Sequence, residues 1–252
     1  MGKKSIGLNV QNTDVLLTEL RRYYDLSVGV LQDFGGPSVY FHQQAIRAQA
    51  SDFLGDRHIE MIYATLASWG MHRMGAPKDT KAKMVEFDDF RSSILACRSD
   101  LTSLKQERIE NIALDRYGEI LHGLRAVHGR LRVSISESTL VANAKTLAHV
   151  LPHLIPPIDR QYTVRFFTQD ASEFFTKSGN YRLPKVPYGR EEQFGLFVNI
   201  CGKMKALFEQ CDQKMLQLNG QGFNTSYPKI VDNLIMAFVK SVPVPAAGDA
   251  VP

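Results

Sequence analysis

The chain has 252 residues, of which 44% are hydrophobic, so it can bury a sizeable core in one large domain or in two interlocked lobes. The net charge of +4 is only mildly basic, so any affinity for nucleic acid depends on where the charges cluster. The three cysteines form no CxxC pair and no apolar run reaches about eighteen residues, which argues against a disulfide framework, a zinc site and a membrane-spanning helix.

Hydrophobic residues in the N-terminal half recur with the 3.6-residue period of a helix, and alternating patterns are scarce. We therefore predict an all-α fold. The predicted helices of this half cover residues 12–33, 37–50, 56–74, 88–101 and 107–128. The third of them is apolar on most sides, which favours a central position. A basic, turn-rich loop covers residues 75–83.

In the C-terminal half, Ser134 and Glu137 have the spacing of a capping box, which predicts a helix that starts at Ser134. Pro152 and the pair Pro156-Pro157 should stop this helix. A second loop covers residues 179–190, and further helices are predicted over 191–218 and 227–242. Residues 1–242 should form a single globular unit, and residues 243–252 a disordered tail.

Asp159 follows the proline pair, at the first turn of another predicted helix. Because proline fixes φ and restricts the residue before it, the chain should hold Asp159 in a defined place. The free N–H groups of a helix start stabilise an ionised carboxylate and a nearby phosphate, and Arg160 and Arg165 follow directly. Asp159 is therefore a candidate for chemistry on an anionic polymer, although it could also serve only as an N-cap.

Residues 134 to 167 resemble the core motif of the helix-hairpin-helix DNA glycosylases. In that family a hairpin of the form L-P-G-V-G-x-K-T-A precedes a P-V-D-x-x-V-x-R segment that carries the catalytic aspartate. The second part is similar to PIDRQYTVR at 157–165, and the first to LVANAKTLA at 140–148, where alanines replace both glycines. The resemblance implies an all-α fold of two interlocked lobes with a cleft between them.

The resemblance also implies a reaction, namely hydrolysis of the N-glycosidic bond of a damaged or modified base flipped out of double-stranded DNA. Asp159 would be the catalytic carboxylate. Bifunctional members add a lysine nucleophile. An ungapped match puts Thr146 at its position and Lys145 one residue earlier, so Lys145 is a candidate, while a hydrolytic, monofunctional enzyme is expected. Such an enzyme would serve base-excision repair or the restriction of modified foreign DNA.

Two clusters in the N-terminal half are candidates for the base pocket. Tyr40 and His42 lie at a predicted helix start, and Trp69 and His72 lie where the apolar helix runs into the basic loop. Aromatic and imidazole groups can stack on a base and bond to its edge, although all four residues could also be ordinary core residues.

Several residues are candidates for contacts with the DNA backbone. They are Asn143, Thr146, Arg160 and Arg165 in the motif, with Lys81 and Lys83 in the basic loop. The two lysines could equally belong to a solvated surface run.

Other features give negative or open predictions. His149 and His153 are four residues apart, but Pro152 and the lack of an acidic third ligand argue against a metal site, and we expect no cofactor. The N-terminal residues contain no apolar run after Lys3-Lys4, so we expect a cytoplasmic protein that does not contact a membrane. A monomer is expected as well. The alternative to an enzyme is a non-catalytic helical module that binds nucleic acid or a protein.

Overall fold

α-Helices dominate the part of the chain that the computed structural model describes, namely residues 11–30, 35–73, 83–136, 138–176, 178–212, 214, 216 and 223–244. In chain order they are α1 Gln11–Thr18, α2 Leu20–Val30, α3 Pro37–Ser51, α4 Asp56–Ser68, α5 Phe87–Leu95, α6 Arg98–Ser103, α7 Leu114–Gly123, α8 Arg125–Arg130, α9 Leu140–Val150, α10 Arg165–Thr168, α11 Arg190–Gln210 and α12 Tyr227–Ser241. Extended pairing in these residues is limited to two isolated bridges. The all-α prediction is confirmed for the described residues.

Several helices begin where the sequence indicates. Pro37 occupies the first turn of α3, as expected of a residue that lacks an N–H to satisfy. Ser226 caps α12 by accepting a hydrogen bond from the backbone N–H of Lys229. Parts of other predicted segments lie outside the described residues. These parts are residues 31–33, 74–82 and 245–252, Glu137, and positions 213, 215, 217 and 218 near the end of the predicted helix 191–218.

Four predicted helices are shorter or more divided than the sequence suggested. The predicted helix 56–74 ends at Ser68 because Gly70 adopts φ +78°, a left-handed conformation that suits glycine. A short 3-10 turn at Met71–Arg73 follows. The remaining three divide into α1 and α2, α5 and α6, and α7 and α8. Periodicity identifies the buried face of such segments but not the turns within them.

Buried hydrophobic side chains form one core cluster, and α12 lies against several elements within it. Phe238 of α12 contacts Tyr23 of α2 and Phe166 of α10, with ring centroids 5.3 and 5.0 Å apart. These contacts attach the N-terminal helices to the segment that follows Asp159. α3 and α4 pack on each other and on α9, which carries Lys145. α3 and α4 thus pack against α9, and α12 packs against the turn at residues 160–164 that follows Asp159.

Arg165 lies inside this core. Its side chain is fully buried, with the guanidinium carbon 4.5 Å from the ring centroid of Tyr181 and 5.6 Å from that of Phe174. Its Nη2 donates to the carbonyl of Arg182. Burial lowers the pKa of Arg165 from its ordinary value. The predicted contact between Arg165 and DNA is at odds with this position, in which the guanidinium fastens the 181–182 segment to α10.

The start of α9 differs from the prediction. The helix begins at Leu140 instead of Ser134, and Thr139, its N-cap residue, makes no side-chain capping bond. Gln193 of α11 supplies the cap instead: its Oε1 accepts from the backbone N–H groups of Thr139 and Leu140 at 2.8 and 2.9 Å. The segment matched to the glycosylase hairpin, 140–148, is thus helical throughout. Alanines favour a helix where glycines would permit a tight turn.

The Gln193 cap leads to a stability prediction. Replacing Gln193 by leucine should lower the free energy of unfolding by about 2 kcal/mol, because one buried and one partly buried backbone N–H group lose their acceptor. Urea denaturation at neutral pH measures the change. Gln210→Leu on the exposed end of the same helix serves as the control and should have little effect. A loss below about 0.5 kcal/mol for Gln193→Leu would show that the cap is dispensable.

Candidate functional site

A cavity of about 400 Å³ is lined by residues at the C-terminal end of α4, in α9, in the turn at residues 159–162 and in α12. Trp69, Tyr162 and Phe223 contribute aromatic surface to its wall. Four charged side chains also line it, and they form two ion pairs, one of Lys145 with Asp159 and one of Lys229 with Asp232. A volume of this order is in the range of small-ligand sites, and aromatic walls with a few charged groups are typical of them.

The first ion pair joins α9 to the turn after the prolines. Lys145 Nζ lies 2.7 Å from Asp159 Oδ2, and the lysine side chain is 9% exposed while that of the aspartate is 28% exposed. The ammonium also lies 5.4 Å from the ring centroid of Trp69. Asp159 Oδ1 accepts from the N–H of Gln161 at 2.7 Å and so caps the π-helical turn Arg160–Val164. Asp159 therefore acts as an N-cap with one oxygen and as an ion-pair partner with the other.

The charge state of Asp159 reflects opposing effects. Burial on its own would raise the pKa of this carboxyl group. The Lys145 ammonium lowers it, both by charge and by a direct hydrogen bond, and the backbone N–H groups of Gln161 and Tyr162 lower it further. The net result is a pKa below the ordinary value. Asp159 is therefore an anion at neutral pH, beside the aromatic side chains of the cavity wall.

The second ion pair lies on α12 and was not predicted from the sequence. Lys229 Nζ lies 2.6 Å from both Asp232 Oδ2 and Asn233 Oδ1. Asp232 Oδ1 accepts from the hydroxyl of Thr163 at 3.3 Å, and Asn233 donates to Asn224 Oδ1 at 2.8 Å. The only sequence signal is a lysine and an aspartate three residues apart within an otherwise apolar helix.

Histidines form a hydrogen-bonded chain behind Trp69. His149 Nδ1 donates to the carbonyl of Lys145 at 2.7 Å, so its Nε2 is the acceptor for His42 Nδ1 at 3.0 Å. His42 Nε2 then accepts from the Thr225 hydroxyl, also at 3.0 Å. The His42 ring is nearly parallel to Trp69, with an interplanar angle of 28° and centroids 5.7 Å apart. These hydrogen bonds fix the His42 ring, which stacks on Trp69, and the turn of α9 that carries Lys145.

Buried histidines make the stability of the protein depend on pH. Burial lowers the pKa of His58, His128 and His149 to about 4 each, and it lowers that of His42 well below its ordinary value. Below pH 6.5 the unfolded chain therefore takes up protons that the folded chain does not bind. Between pH 7 and pH 5 the free energy of unfolding should fall by about 2 kcal/mol for each such histidine, as measured by urea denaturation.

A control for this prediction comes from His128, which lies outside the hydrogen-bonded chain. Its ring packs against Phe194 and Phe197, with centroids 5.3 Å from each. In His128→Phe, the free energy of unfolding should fall less between pH 7 and pH 5, by about 2 kcal/mol, because one buried histidine has been removed. A wild-type stability that is equal at pH 7 and pH 5 would contradict the prediction.

The four residues predicted for the base pocket have different positions. Trp69 lines the cavity. His42 is buried behind it and bonds to His149 instead of facing the cavity. The side chain of His72 is bonded through Nδ1 to the carbonyl of Ala67, and Tyr40 is 53% exposed on the surface; neither is part of the cavity wall.

Two residues predicted to bind DNA are buried within α9. Asn143 Nδ2 donates to the carbonyl of His128 at 2.8 Å, and Thr146 Oγ1 donates to that of Ala142 at 2.9 Å. Their exposed fractions are 1% and 0%, which is at odds with direct contacts to DNA. Lys145, and not its neighbour Thr146, is the residue of α9 that faces Asp159.

The remaining candidates for DNA contacts lie nearer the surface. Arg160 is exposed and donates from Nε to the carbonyl of Pro184 at 2.8 Å. Lys83 is half-buried, and its backbone N–H bonds to the carbonyl of His72. Lys81 lies outside the described residues. Arg160, next to Asp159 in the chain, is thus the exposed one of these candidates among the described residues.

No family model, curated protein or solved structure matches this chain. Within the described residues, no group of three or more His, Cys, Asp or Glu side chains is arranged to hold a metal ion. Of the helices that can be described, none combines the length and the apolar character needed to cross a bilayer. The three cysteines are buried and free.

Proposed function

We propose that the protein is a DNA glycosylase that hydrolyses the N-glycosidic bond of a damaged or modified base flipped out of double-stranded DNA. One observation supports this most strongly: the ion pair of Lys145 and Asp159 lies at an aromatic-walled cavity of about 400 Å³. A flipped base needs a pocket with stacking surfaces, and its sugar needs a carboxylate beside the bond that breaks.

The chemistry follows from the charge of Asp159. As the bond between C1′ and the base nitrogen breaks, its electron pair leaves with the base and positive charge develops on the sugar. An ionised carboxylate stabilises that charge, and a water molecule then forms the new bond to C1′. The proton that the water loses balances the electron pair on the departing base, which takes up a proton from solvent and leaves as the neutral free base. A carboxylate with a lowered pKa is a weak base, so Asp159 contributes mainly by electrostatic stabilisation.

Lys145 supports the carboxylate in this mechanism. Its ammonium keeps Asp159 ionised despite burial, and it fixes Oδ2 while the N–H of Gln161 fixes Oδ1. An ammonium group engaged in this way has no lone pair for attack on a sugar. We therefore propose a hydrolytic, monofunctional reaction in which Lys145 positions the carboxylate.

We propose that the exposed guanidinium of Arg160 contacts the DNA outside the cavity. It lies one residue after Asp159, at a helix start, where a phosphate is favoured. The alternative function is that of a non-catalytic binding module, in which Asp159 would only cap the 160–164 turn. The buried lysine partner of Asp159 favours the enzyme, because an N-cap alone needs no buried ammonium.

The test is mass spectrometry of free bases released from DNA that carries oxidised, deaminated, alkylated or hypermodified bases. Release of one class of base would establish the activity and identify the substrate, and hypermodified phage DNA would distinguish restriction of foreign DNA from repair. DNA binding without release from any substrate would instead support the non-catalytic module.

A further inference from the structure

The ion pair of Lys229 and Asp232 has no role in the proposed hydrolysis, yet both residues line the same cavity. They are 5% and 4% exposed. Two buried charges lose much of their hydration, and apolar residues of similar volume would often serve stability equally well. A pair of this kind on a cavity wall is therefore a candidate for ligand recognition.

The hydrogen-bonding groups of this pair are only partly used within the protein. The Lys229 ammonium has three N–H donors, of which two engage Asp232 and Asn233. The Asp232 carboxylate can accept about four hydrogen bonds and accepts those from Lys229 and Thr163. The pair can therefore offer a ligand one strong donor beside one strong acceptor.

Neighbouring residues hold the pair in place. Asn233, which accepts from Lys229, is itself bonded to Asn224, and the Lys229 ammonium lies 5.1 Å from the ring centroid of Phe223. The centroids of Phe223 and Trp69 are 6.2 Å apart. The planes of these two rings are tilted by 58°. The Lys145 ammonium lies over Trp69 as the Lys229 ammonium lies over Phe223, so each ion pair lies beside one of two adjoining rings. A planar ligand between the two ion pairs would turn its reacting bond toward Asp159 and another edge toward Lys229 and Asp232.

We propose that Lys229 and Asp232 read the edge of the flipped base, and that the base is a neutral one with a lactam edge, meaning a ring N–H beside a carbonyl. The ammonium would donate to the carbonyl oxygen and the carboxylate would accept from the ring N–H. This inference rests on the proposed function. A lactam N–H is more acidic than an exocyclic amine, so it forms the stronger hydrogen bond to a carboxylate.

The charge balance of the cavity favours a neutral base over a cationic alkylated one. Each of its two carboxylates is already paired with an ammonium at 2.6 or 2.7 Å. The sugar charge of the proposed reaction would develop beside Asp159, whereas a cationic base would bring a full positive charge next to the Lys229 ammonium, whose carboxylate is already engaged. Like charges in such a setting repel strongly.

The experiment compares the wild type with Asp232→Asn and with the double variant Lys229→Met plus Asp232→Asn. The double variant removes both buried charges together, so neither remains unpaired and the fold should persist. The DNA substrates carry either a lactam base (oxidised guanine, hypoxanthine or uracil) or an adenine without a lactam edge (methylated or etheno-bridged). Base release and affinity for DNA with an abasic site are measured for each variant.

We expect the wild type to release a lactam base and both variants to do so at least about a hundredfold more slowly, as when a site loses its polar contacts to a substrate. Affinity for abasic-site DNA, which has no base to read, should stay within about threefold of the wild type. Unchanged release by the double variant, or a wild-type preference for the adenine derivatives, would overturn the recognition role alone. Absence of release from every DNA would overturn the proposed function with it.

Discussion

Asp159→Asn is expected to slow base release by about two to three orders of magnitude, which is the usual effect of removing one group that stabilises a transition-state charge. The amide keeps an oxygen that can accept from the N–H of Gln161, so the cap of the 160–164 turn should persist. It has no negative charge for the developing sugar cation or for Lys145. Single-turnover release of the base identified by mass spectrometry measures the effect, and affinity for the same DNA should change little.

The matched control is Asp115→Asn. Asp115 is also an aspartate in the first turn of a helix, and its Oδ1 also accepts from a backbone N–H, but it is exposed and lies outside the cavity. This variant should release base at the wild-type rate. Because Asp159→Asn leaves Lys145 without its anion, thermal unfolding of both variants must show that they are folded at the assay temperature. Wild-type release rates for folded Asp159→Asn would rule out a catalytic carboxylate.

The position of Asp159 could be predicted because local chemistry determines it. Pro152 directly follows the last residues of α9, the proline pair then precedes Asp159, and aspartate is a preferred cap for the next turn. Features of this kind depend on residues that are close together in the chain.

The partners of Asp159 could not be predicted in the same way. In α9, Lys145 faces Asp159 and Thr146 faces the protein interior. This orientation depends on how α9 packs against the turn that carries Asp159. The contact between His42 and His149 joins residues 107 positions apart. The burial of Arg165 is the clearest example, because arginine is a surface residue by default and its aromatic partners come from later segments. Tertiary packing decides each of these cases.

The ion pair of Lys229 and Asp232 illustrates a different limit. Lysine and aspartate three residues apart are common on exposed helix faces, where they contribute little. Only the burial of both residues on a cavity wall distinguishes this pair from a surface pair. Sequence spacing therefore predicts that the two side chains can meet, whereas the environment that gives the pair a possible function is set by the packing of α12.

Lys145→Met is expected to lower base release by at least about tenfold at neutral pH and to change its pH dependence. In the wild type, activity should be lost as the pH falls through the pKa of Asp159, which lies below the ordinary value because of Lys145. Lys145→Met removes the ammonium that contributes most to lowering this pKa, so the raising effect of burial is no longer offset and the pKa of Asp159 should rise. The acidic limb of the pH–rate profile should therefore move to higher pH.

Lys205→Met provides the control, since Lys205 is also a buried lysine paired with a carboxylate, Glu209 at 2.9 Å, but does not line the cavity. Its acidic limb should match that of the wild type. Borohydride added during turnover tests the other role of Lys145: we expect no trapped covalent adduct and an uncleaved abasic strand, because the lysine acts as a charged partner of Asp159. A trapped adduct that disappears in Lys145→Met would instead make Lys145 the nucleophile, and an acidic limb that stays in place would show that the ammonium does not control the carboxylate.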